Sequence, residues 1–342
     1  MCGTAGMFVG CAAVSFCPRT LLAPKPAPVP EGDEYRSPFG SWYERSSVRV
    51  APRRVLGDGD GARHFFSPDM VAVARHPLVE RMPPGVFREV LLQHLYRYLD
   101  FTAKLEYLVV NRTVAGIAHG SVGVELPEEM RFDALKIYCD EAYHALFSAD
   151  LARQARDLSG VAPVLPAEPF FLRRLREIQE GSPQEFRPLV ELVFVIVSET
   201  LISATLADVP VDETVVPAVR EVIRDHAVDE GRHHAYFASF LRILWGQLDE
   251  RARDFTARVA PSLIDAFLRP DFDAVRAELR GYGLDADEAE QVVAEVYPDE
   301  VVREFFRTTA HQTVRYFHGL GVMGRPGVGE EFARLGLVDG AV

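Results

Sequence analysis

The sequence predicts an all-α protein, built on a four-helix bundle with a long crossover and additional C-terminal helices. Long segments of helix-forming residues place their polar side chains at helical spacing among apolar ones. Proline and glycine are concentrated in segments that separate these stretches. No alternating pattern of useful length indicates a β-strand.

Residues 1–64 differ in composition from the rest of the chain. Residues 1–17 are apolar and uncharged, without the positive region that opens a signal peptide, which favours a disordered leader or an upstream start codon over secretion. Residues 18–64 contain Pro-rich and Gly-rich stretches. We therefore expect an irregular extension over 1–64 and one helical-bundle domain over 65–342.

The helices follow from the periodic segments and from the residues that interrupt them. The four bundle helices are predicted at Val86–Ala118, Glu128–Leu158, Leu189–Leu206 and Pro217–Gly246. Between the second and third, residues 159–188 carry five prolines and one short helix around Phe171–Glu180. Shorter C-terminal helices, within about 251–320, are predicted at Glu250–Leu268, Phe272–Leu279, Ala286–Val296 and Asp299–Leu320. The metal-binding core described next spans about 85–250.

Charge and cysteine content exclude several classes of protein. Among 342 residues, 37 Lys+Arg stand against 50 Asp+Glu, a formal net charge of -13, which argues against a nucleic-acid or anionic-membrane binder. The sequence contains no run of about 18 uncharged apolar residues, so we predict no transmembrane helix. Cys2, Cys11, Cys17 and Cys139 match neither a zinc cluster nor a disulfide scaffold, so we expect a cytoplasmic protein.

Two glutamates lie inside apolar helical segments. Glu199 is at the centre of Val193–Leu206, which is apolar all round and should be buried. Glu106 lies similarly within Leu105–Val110. A buried carboxylate is costly unless it is paired, hydrogen-bonded or bound to a metal. Either residue alone is more typical of a solvated face or a buried ion pair than of a functional site.

The second and fourth helices both contain the motif D-E-x-x-H. The two copies are Asp140-Glu141-x-x-His144 and Asp229-Glu230-x-x-His233. Residues three apart share a helix face, so one carboxylate and one imidazole can reach the same metal. About one such Glu–His pair is expected by chance from this composition, so two copies are weak evidence by number. Their placement on two predicted helices is what indicates a metal site.

The order of these residues is a two-fold repeat of a helix hairpin. A Glu from each of two helices and a Glu-x-x-His from each of the other two is the ligand set of carboxylate-bridged di-metal bundles. Two divalent cations would neutralise four carboxylates in an apolar interior. Carboxylate and imidazole ligands suit iron or manganese.

Three further residues are candidates for supporting roles. Asp140 and Asp229 could accept hydrogen bonds from the imidazole N–H groups, or could simply be surface aspartates. His226 lies four residues before Glu230 on the same face, so it is a third candidate imidazole or a packed core histidine.

Together these motifs resemble the p-aminobenzoate N-oxygenase family of di-iron enzymes. The residues that carry the resemblance are Glu106, Glu141-x-x-His144, Glu199 and His226-x-x-x-Glu230-x-x-His233. It implies a ferritin-like bundle, a homodimer, two iron ions, dioxygen as co-substrate and an external electron donor. It also implies oxidation of a small-molecule amine to hydroxylamine, nitroso or nitro products in natural-product biosynthesis.

The resemblance further implies how the ligands divide between the irons. One iron would be held by Glu106, Glu141 and His144. The other would be held by Glu199, His226, Glu230 and His233, with Glu141 and Glu230 bridging. The substrate, the oxidation state of the product, the reductant and the choice of iron over manganese stay open.

The candidate substrate pocket contains no basic residue near the glutamates. The turns facing Glu106 and Glu199 offer Tyr98, Phe101, Thr102, Ile202, Ser203 and Thr205. The substrate is therefore expected to be less acidic than p-aminobenzoate, or to meet a cation from the C-terminal region. The candidates for that cation are Arg303, Arg307 and Arg315. The aromatic residues could also be ordinary core.

Three other functions remain open at this point. A non-catalytic iron-binding bundle would need no substrate pocket. A radical generator would need a redox tyrosine beside the metals, for which Tyr107, Tyr138 and Tyr143 are candidates. An acyl-chain desaturase would need a long apolar channel.

Overall fold

The computed structural model describes residues 35–205 and 211–339, with the side chains of 58, 61 and 203–205 left out. The leader, residues 1–17, and most of the break after the third helix therefore lie outside the described residues. Within the described ranges, no helix combines the length and apolar content needed to span a bilayer.

The described residues are predominantly helical. The helices are α1 (Trp42–Arg45), α2 (Ser47–Val50), α3 (Pro77–Glu80), α4 (Pro84–Leu105), α5 (Asn111–His119), α6 (Glu128–Ser159), α7 (Phe170–Gly181), α8 (Arg187–Thr205), α9 (Pro217–Gln247), α10 (Glu250–Leu268), α11 (Phe272–Gly281), α12 (Ala286–Val296), α13 (Asp299–Gly319) and α14 (Val328–Arg334). The four predicted bundle helices begin and end within two residues of their observed positions. The all-α bundle with a crossover is thus confirmed.

Helices α4 and α5 form one rod, joined by a π-helical turn at Glu106–Val110. Proline at the start of α4 suits a helix N-terminus, where the missing N–H has no partner to lose. The rod ends at Gly120, whose φ of 75° is the left-handed conformation that glycine adopts without strain. Helix α6 then runs back along the rod and packs against both of its halves.

Helix α8 is the most deeply buried element of the bundle. It contacts α9 within the core, and α7, α10 and α13 from outside. Residues 193–197 are completely inaccessible to solvent. The crossover and the C-terminal helices therefore explain why this segment is apolar all round.

The segment before the bundle contains more helix than the sequence indicated. Helices α1 and α2 lie within the expected irregular extension, and α2 packs against α6 and α9. His64 forms an isolated parallel bridge with Val215, next to the start of α9. Helices α1, α2 and α3 are single turns, too short for helical periodicity to be read, and α14 was also not predicted.

Candidate metal centre

Seven ionisable side chains converge in the interior between α4, α6, α8 and α9. They are Glu106, Glu141, His144, Glu199, His226, Glu230 and His233, and each is at most 1% exposed. Burial of four carboxylates in one place requires positive charge nearby. The geometry of this cluster therefore decides what it can bind.

Glu106 is presented by the π-helical turn rather than by a regular helix. Such a turn inserts an extra residue into the helix and is frequent at functional sites. Nothing in the sequence predicted this local change, because its pattern matches an uninterrupted helix.

The first set of potential ligands consists of Glu106, His144, His226 and Glu230. One ligand atom from each lies within 4.8 Å of the others. His226 Nε2 is 3.1 Å from Glu230 Oε1 and 3.8 Å from Glu106 Oε1. His144 Nδ1 is 3.4 Å from the same Glu230 oxygen.

The second set consists of Glu141, Glu199, Glu230 and His233, within the same 4.8 Å limit. His233 Nδ1 is 2.7 Å from Glu141 Oε1, 3.4 Å from Glu230 Oε1 and 3.7 Å from Glu199 Oε2. Glu230 belongs to both sets. Glu141 also reaches both, since its other oxygen is 2.7 Å from His144 Nδ1.

The position of His226 differs from the division that the resemblance implied. His226 lies with Glu106 and His144, not with Glu199 and His233. The reason is helical geometry, because His226 and His233 are about 10.5 Å apart along the axis of α9. Glu230 lies between them, so the two histidines flank it on either side and reach different ligand sets.

Asp140 and Asp229 pair with the histidines crosswise. His144 Nε2 on α6 is 3.1 Å from Asp229 Oδ2 on α9, and His233 Nε2 on α9 is 3.2 Å from Asp140 Oδ2 on α6. Each aspartate thus engages the far nitrogen of the opposite helix's imidazole. This arrangement leaves both Nδ1 atoms facing the carboxylates, where a metal would need an unprotonated nitrogen.

The N-terminal segment holds the two aspartates in place. Trp42 Nε1 and Ser46 Oγ donate to Asp140 at 2.8 and 2.6 Å. The Ser47 backbone N–H donates to both oxygens of Asp229 at 3.2 Å, and its hydroxyl also donates to Oδ2.

Sequence reasoning missed these residues of the N-terminal segment, because they are almost a hundred or more positions from their partners. It also missed Arg232, which donates to Asp229. The three-residue spacing of Asp229 and Arg232 on a helix could have revealed that contact.

Glu106 and Glu199 are the least compensated carboxylates of the cluster. Neither oxygen of Glu106, Glu199 or Glu230 has a hydrogen-bond partner among the described residues. Glu230, however, has three imidazole nitrogens within 3.4 Å of its Oε1, whereas Glu106 and Glu199 each have one, at 3.8 and 3.7 Å. Burial, reinforced by the neighbouring Glu141, raises the pKa of both well above the usual range. Buried polar atoms without partners are rare in proteins and point to an additional ligand.

The other members of the cluster pair with each other. Burial alone would raise the pKa of Glu141, but the imidazoles of His233 and His144 lower it to about 2. Burial alone would lower the pKa of His144, but Glu141 and the bond to Asp229 raise it to about 10. The protein alone therefore balances its buried charges with protons, which divalent cations would displace.

A cavity of about 240 Å³ lies beside the cluster. Four of the six predicted pocket residues line it, namely Tyr98, Phe101, Thr102 and Ile202. The side chains of Ser203 and Thr205 lie outside the described residues. The lining residues that sequence reasoning missed are Phe66, Met70, His94, Ile223, Phe267, Leu268 and Phe305.

The C-terminal arginines do not line this cavity. Arg307 forms ion pairs with Glu304 and Asp339, and Arg303 donates to the Ala333 carbonyl at 3.3 Å. Arg315 is exposed. The expectation of a cation from this region is therefore wrong, because the side chains lie on the outer face of α13.

The tyrosines proposed for a radical site are also outside the centre. Tyr107 and Tyr138 are exposed, and Tyr143 is half-buried at a different, peripheral cavity beside Arg54. A redox tyrosine must lie close to the metals, so these positions disfavour a radical generator.

The bundle is of the ferritin-like class, and its overlapping Glu and His sets could hold a carboxylate-bridged pair of metal ions. The model of the P-aminobenzoate N-oxygenase AurF family matches residues 39–321, so this chain belongs to that family. A 4-aminobenzoate N-oxygenase from Streptomyces thioluteus is 26% identical over 263 residues, covering 75% of this chain and 77% of the relative. The chain is thus an oxidoreductase of the N-oxygenase type, as the resemblance indicated.

Substitution of Glu199 tests whether the cluster binds metal. We expect Glu199→Ala to lose most of a stoichiometry near two ions per chain, because it removes a ligand that no other described side chain replaces. Inductively coupled plasma mass spectrometry measures the bound metal. Glu191→Ala on the same helix, whose carboxylate pairs with the exposed Arg112, is the matched control and should retain both ions.

Substitution of the crosswise aspartates tests their support of the histidines. Asp140→Asn and Asp229→Asn should each weaken metal affinity roughly 10- to 100-fold, because the amide no longer favours a metal-binding imidazole tautomer. Competition with a chelator measures the affinity. Asp150→Asn on α6, which loses an ion pair with Arg53 but keeps an oxygen that can accept from Gln154, should match the unaltered protein. Equal affinity in all four proteins would contradict the assigned role.

Proposed function

We propose that this protein oxidises the nitrogen of a small aromatic amine, using dioxygen at a pair of iron ions. The observation that carries the proposal is the pair of overlapping ligand sets that share Glu230 and lie beside a cavity. Membership of the N-oxygenase family supports the reaction type, and the relative's name supports an aromatic amine.

In this proposal Glu106, His144 and His226 would hold one iron, and Glu199 and His233 would hold the other. Glu141 and Glu230 would be shared by the two ions, since both reach the two ligand sets. Hard carboxylates and imidazoles are ligands that suit iron. When bound, the irons would supply the redox chemistry by which dioxygen, two electrons from an external donor and two protons yield one oxygen atom for the nitrogen and one molecule of water.

The protein's own residues would position the amine and exclude water. Thr102 lies one helical turn before Glu106, and Ile202 lies three residues after Glu199, so the cavity wall continues directly from the ligand helices. The crosswise aspartates would keep the imidazoles in one orientation. A reacting nitrogen held in this cavity therefore faces a fixed site.

The alternatives receive less support from this geometry. A compact cavity beside the ligands favours an enzyme over an iron-storage bundle. A desaturase would need a continuous apolar channel for an acyl chain, whereas the cavity that adjoins this one is lined by charged side chains, among them Arg97, Asp100 and Arg269.

Turnover of an aromatic amine tests the proposed reaction. The iron-loaded protein, given reductant, dioxygen and p-aminobenzoate or its amide, should form hydroxylamine, nitroso or nitro products. Absorbance of the nitro chromophore and mass spectrometry measure them. The Glu199→Ala variant should form none. Consumption of dioxygen with accumulation of ferric iron, and no oxidised amine with either protein, would favour storage.

We also propose that the chain forms a homodimer through an exposed apolar stripe on α6. Phe132, Leu135, Cys139, Ala142 and Leu146 are all exposed and recur at intervals of three and four residues. This spacing places them on one seam of the helix, as in helices that pair with a second copy. An exposed apolar seam of this length is typical of an interface.

A charge on the stripe should separate the two subunits. Leu135→Glu should shift the dimer towards the monomer, because the carboxylate would have to be buried in an apolar contact. Light scattering coupled to size-exclusion chromatography measures the mass. Val301→Glu on α13 is the control, since both positions are 51% exposed, and it should remain dimeric. A monomeric unaltered protein would contradict the proposal.

We also propose a single-domain organisation and a cytoplasmic location. The contacts of Trp42, Ser46 and Ser47 with the buried aspartates support an N-terminal extension that completes a single domain formed by residues 65–342. The exposed free thiol of Cys139 supports a cytoplasmic location, where thiols remain reduced.

A further inference from the structure

We propose that the substrate is an uncharged, elongated aromatic amine, whose amino-bearing ring occupies the cavity beside the metal centre and whose other end lies in a second, outer cavity. This inference rests on the proposed N-oxygenation. It departs from the carboxylate-bearing substrate in the relative's name.

The inner cavity offers no compensation for a carboxylate. Eight of its eleven lining side chains are apolar, and the three polar ones are His94, Tyr98 and Thr102. None of the described lining residues is Lys or Arg. Residues 203–210, whose side chains the structure does not describe, contain no Lys, Arg or His. An ionised substrate would therefore lose its hydration without gaining a cation from the described lining residues.

The polar side chains of the inner cavity suit a neutral acceptor. Arg97 Nη2 donates to His94 Nδ1 at 3.2 Å, so the proton of the neutral ring lies on Nε2. Burial and the Arg97 charge lower the pKa of His94 to about 3, which keeps the ring uncharged. His94 and the hydroxyls of Tyr98 and Thr102 can thus serve an amide or ketone oxygen, but they bring no net positive charge.

Arg97 itself is not free to bind a carboxylate in the inner cavity. It lines only the outer cavity and forms an ion pair with Glu278. Tyr282 donates to the same glutamate at 2.6 Å, which holds the pair in place. Recruiting Arg97 would leave Glu278 without its partner, at a cost that a substrate carboxylate would only offset.

The outer cavity has a volume of about 270 Å³ and shares part of its wall with the inner one. The shared residues are His94, Tyr98, Phe101 and Phe267. The rings of Phe101 and Phe267 are 5.6 Å apart at the boundary.

A cavity of about 150 Å³ accommodates benzene, so the inner cavity suits one substituted ring and the two cavities together suit a longer molecule. The charged lining residues of the outer cavity are already paired, Arg97 with Glu278, Arg269 with Asp265 and Asp100 with Lys104, which favours a polar but uncharged arm.

Three matched amines test the inference with the iron-loaded full-length protein. We expect kcat/KM for 4-aminobenzamide to exceed that for 4-aminobenzoate at least tenfold, and N-benzyl-4-aminobenzamide to be at least as good as the amide. A higher kcat/KM for 4-aminobenzoate than for the amide would contradict the claim that the substrate is uncharged. Exclusion of the benzyl compound would overturn the elongated shape.

Substitution at the shared wall tests the same point from the protein side. Phe101→Arg should raise the relative kcat/KM for 4-aminobenzoate over the amide at least tenfold, whereas Phe101→Leu should keep the preference for the amide. Thermal melting checks that both variants fold. An unchanged ratio in a folded Phe101→Arg protein would contradict the assignment of the wall.

Binding separates this inference from the proposed reaction. The shift in melting temperature on adding 4-nitrobenzamide or 4-nitrobenzoate to the unaltered, metal-loaded protein needs no turnover. A larger shift with the amide, together with no oxidation of any amine, would contradict N-oxygenation but support the uncharged ligand. Oxidation of all three amines, together with a larger shift for 4-nitrobenzoate, would support N-oxygenation but contradict the uncharged ligand. This measurement also decides the question if Phe101→Arg does not fold.

Discussion

The structure depends on the neutralisation of four carboxylates that lie in an apolar interior. Glu106, Glu141, Glu199 and Glu230 are all inaccessible to solvent, and three of them, all except Glu141, lack any hydrogen-bond partner among the described residues. Burial of an unpaired charge is far more costly than any single packing defect. Protons can balance the charges within the protein alone, but a pair of divalent cations satisfies the same oxygens directly and uses every imidazole of the cluster.

The two ligand sets depend on each other, because α6 and α9 each orient a histidine of the other helix. Each helix that provides a Glu-x-x-His motif also provides the aspartate that orients the opposite helix's histidine. The N-terminal segment then binds both aspartates through Trp42, Ser46 and Ser47. A change in either hairpin, or in this segment, therefore alters the geometry around both ligand sets. This explains how an extension with little periodic structure can matter for the chemistry of a bundle core.

The cavity beside the cluster is the feature by which we distinguish the substrate of this chain from the reaction type of its family. The proposed ligand residues suit the chemistry of an N-oxygenase, and in our proposal the cavity walls determine which amine can approach. Apolar walls, the neutral His94 and the paired Arg97 together disfavour a charged substrate. The same bundle can thus serve amines of different polarity through a few side chains on α4, α8 and α9.

The sequence alone determined the bundle helices, because the periodicity and the end signals of long helices are local features of the chain. It also determined Glu106, Glu199 and the two Glu-x-x-His motifs, because ionisable residues at fixed spacing within apolar helices can be recognised from the sequence. Only the tertiary structure decided the partner of His226, the crosswise aspartate pairs and the role of Trp42 and Ser47. It also decided the π-helical turn at Glu106, the outward position of Arg303 and Arg307, and the place of His94 in the cavity. These features arise from contacts between helices distant in sequence, where packing and charge compensation in three dimensions fix which side chains meet, and no local pattern records that outcome.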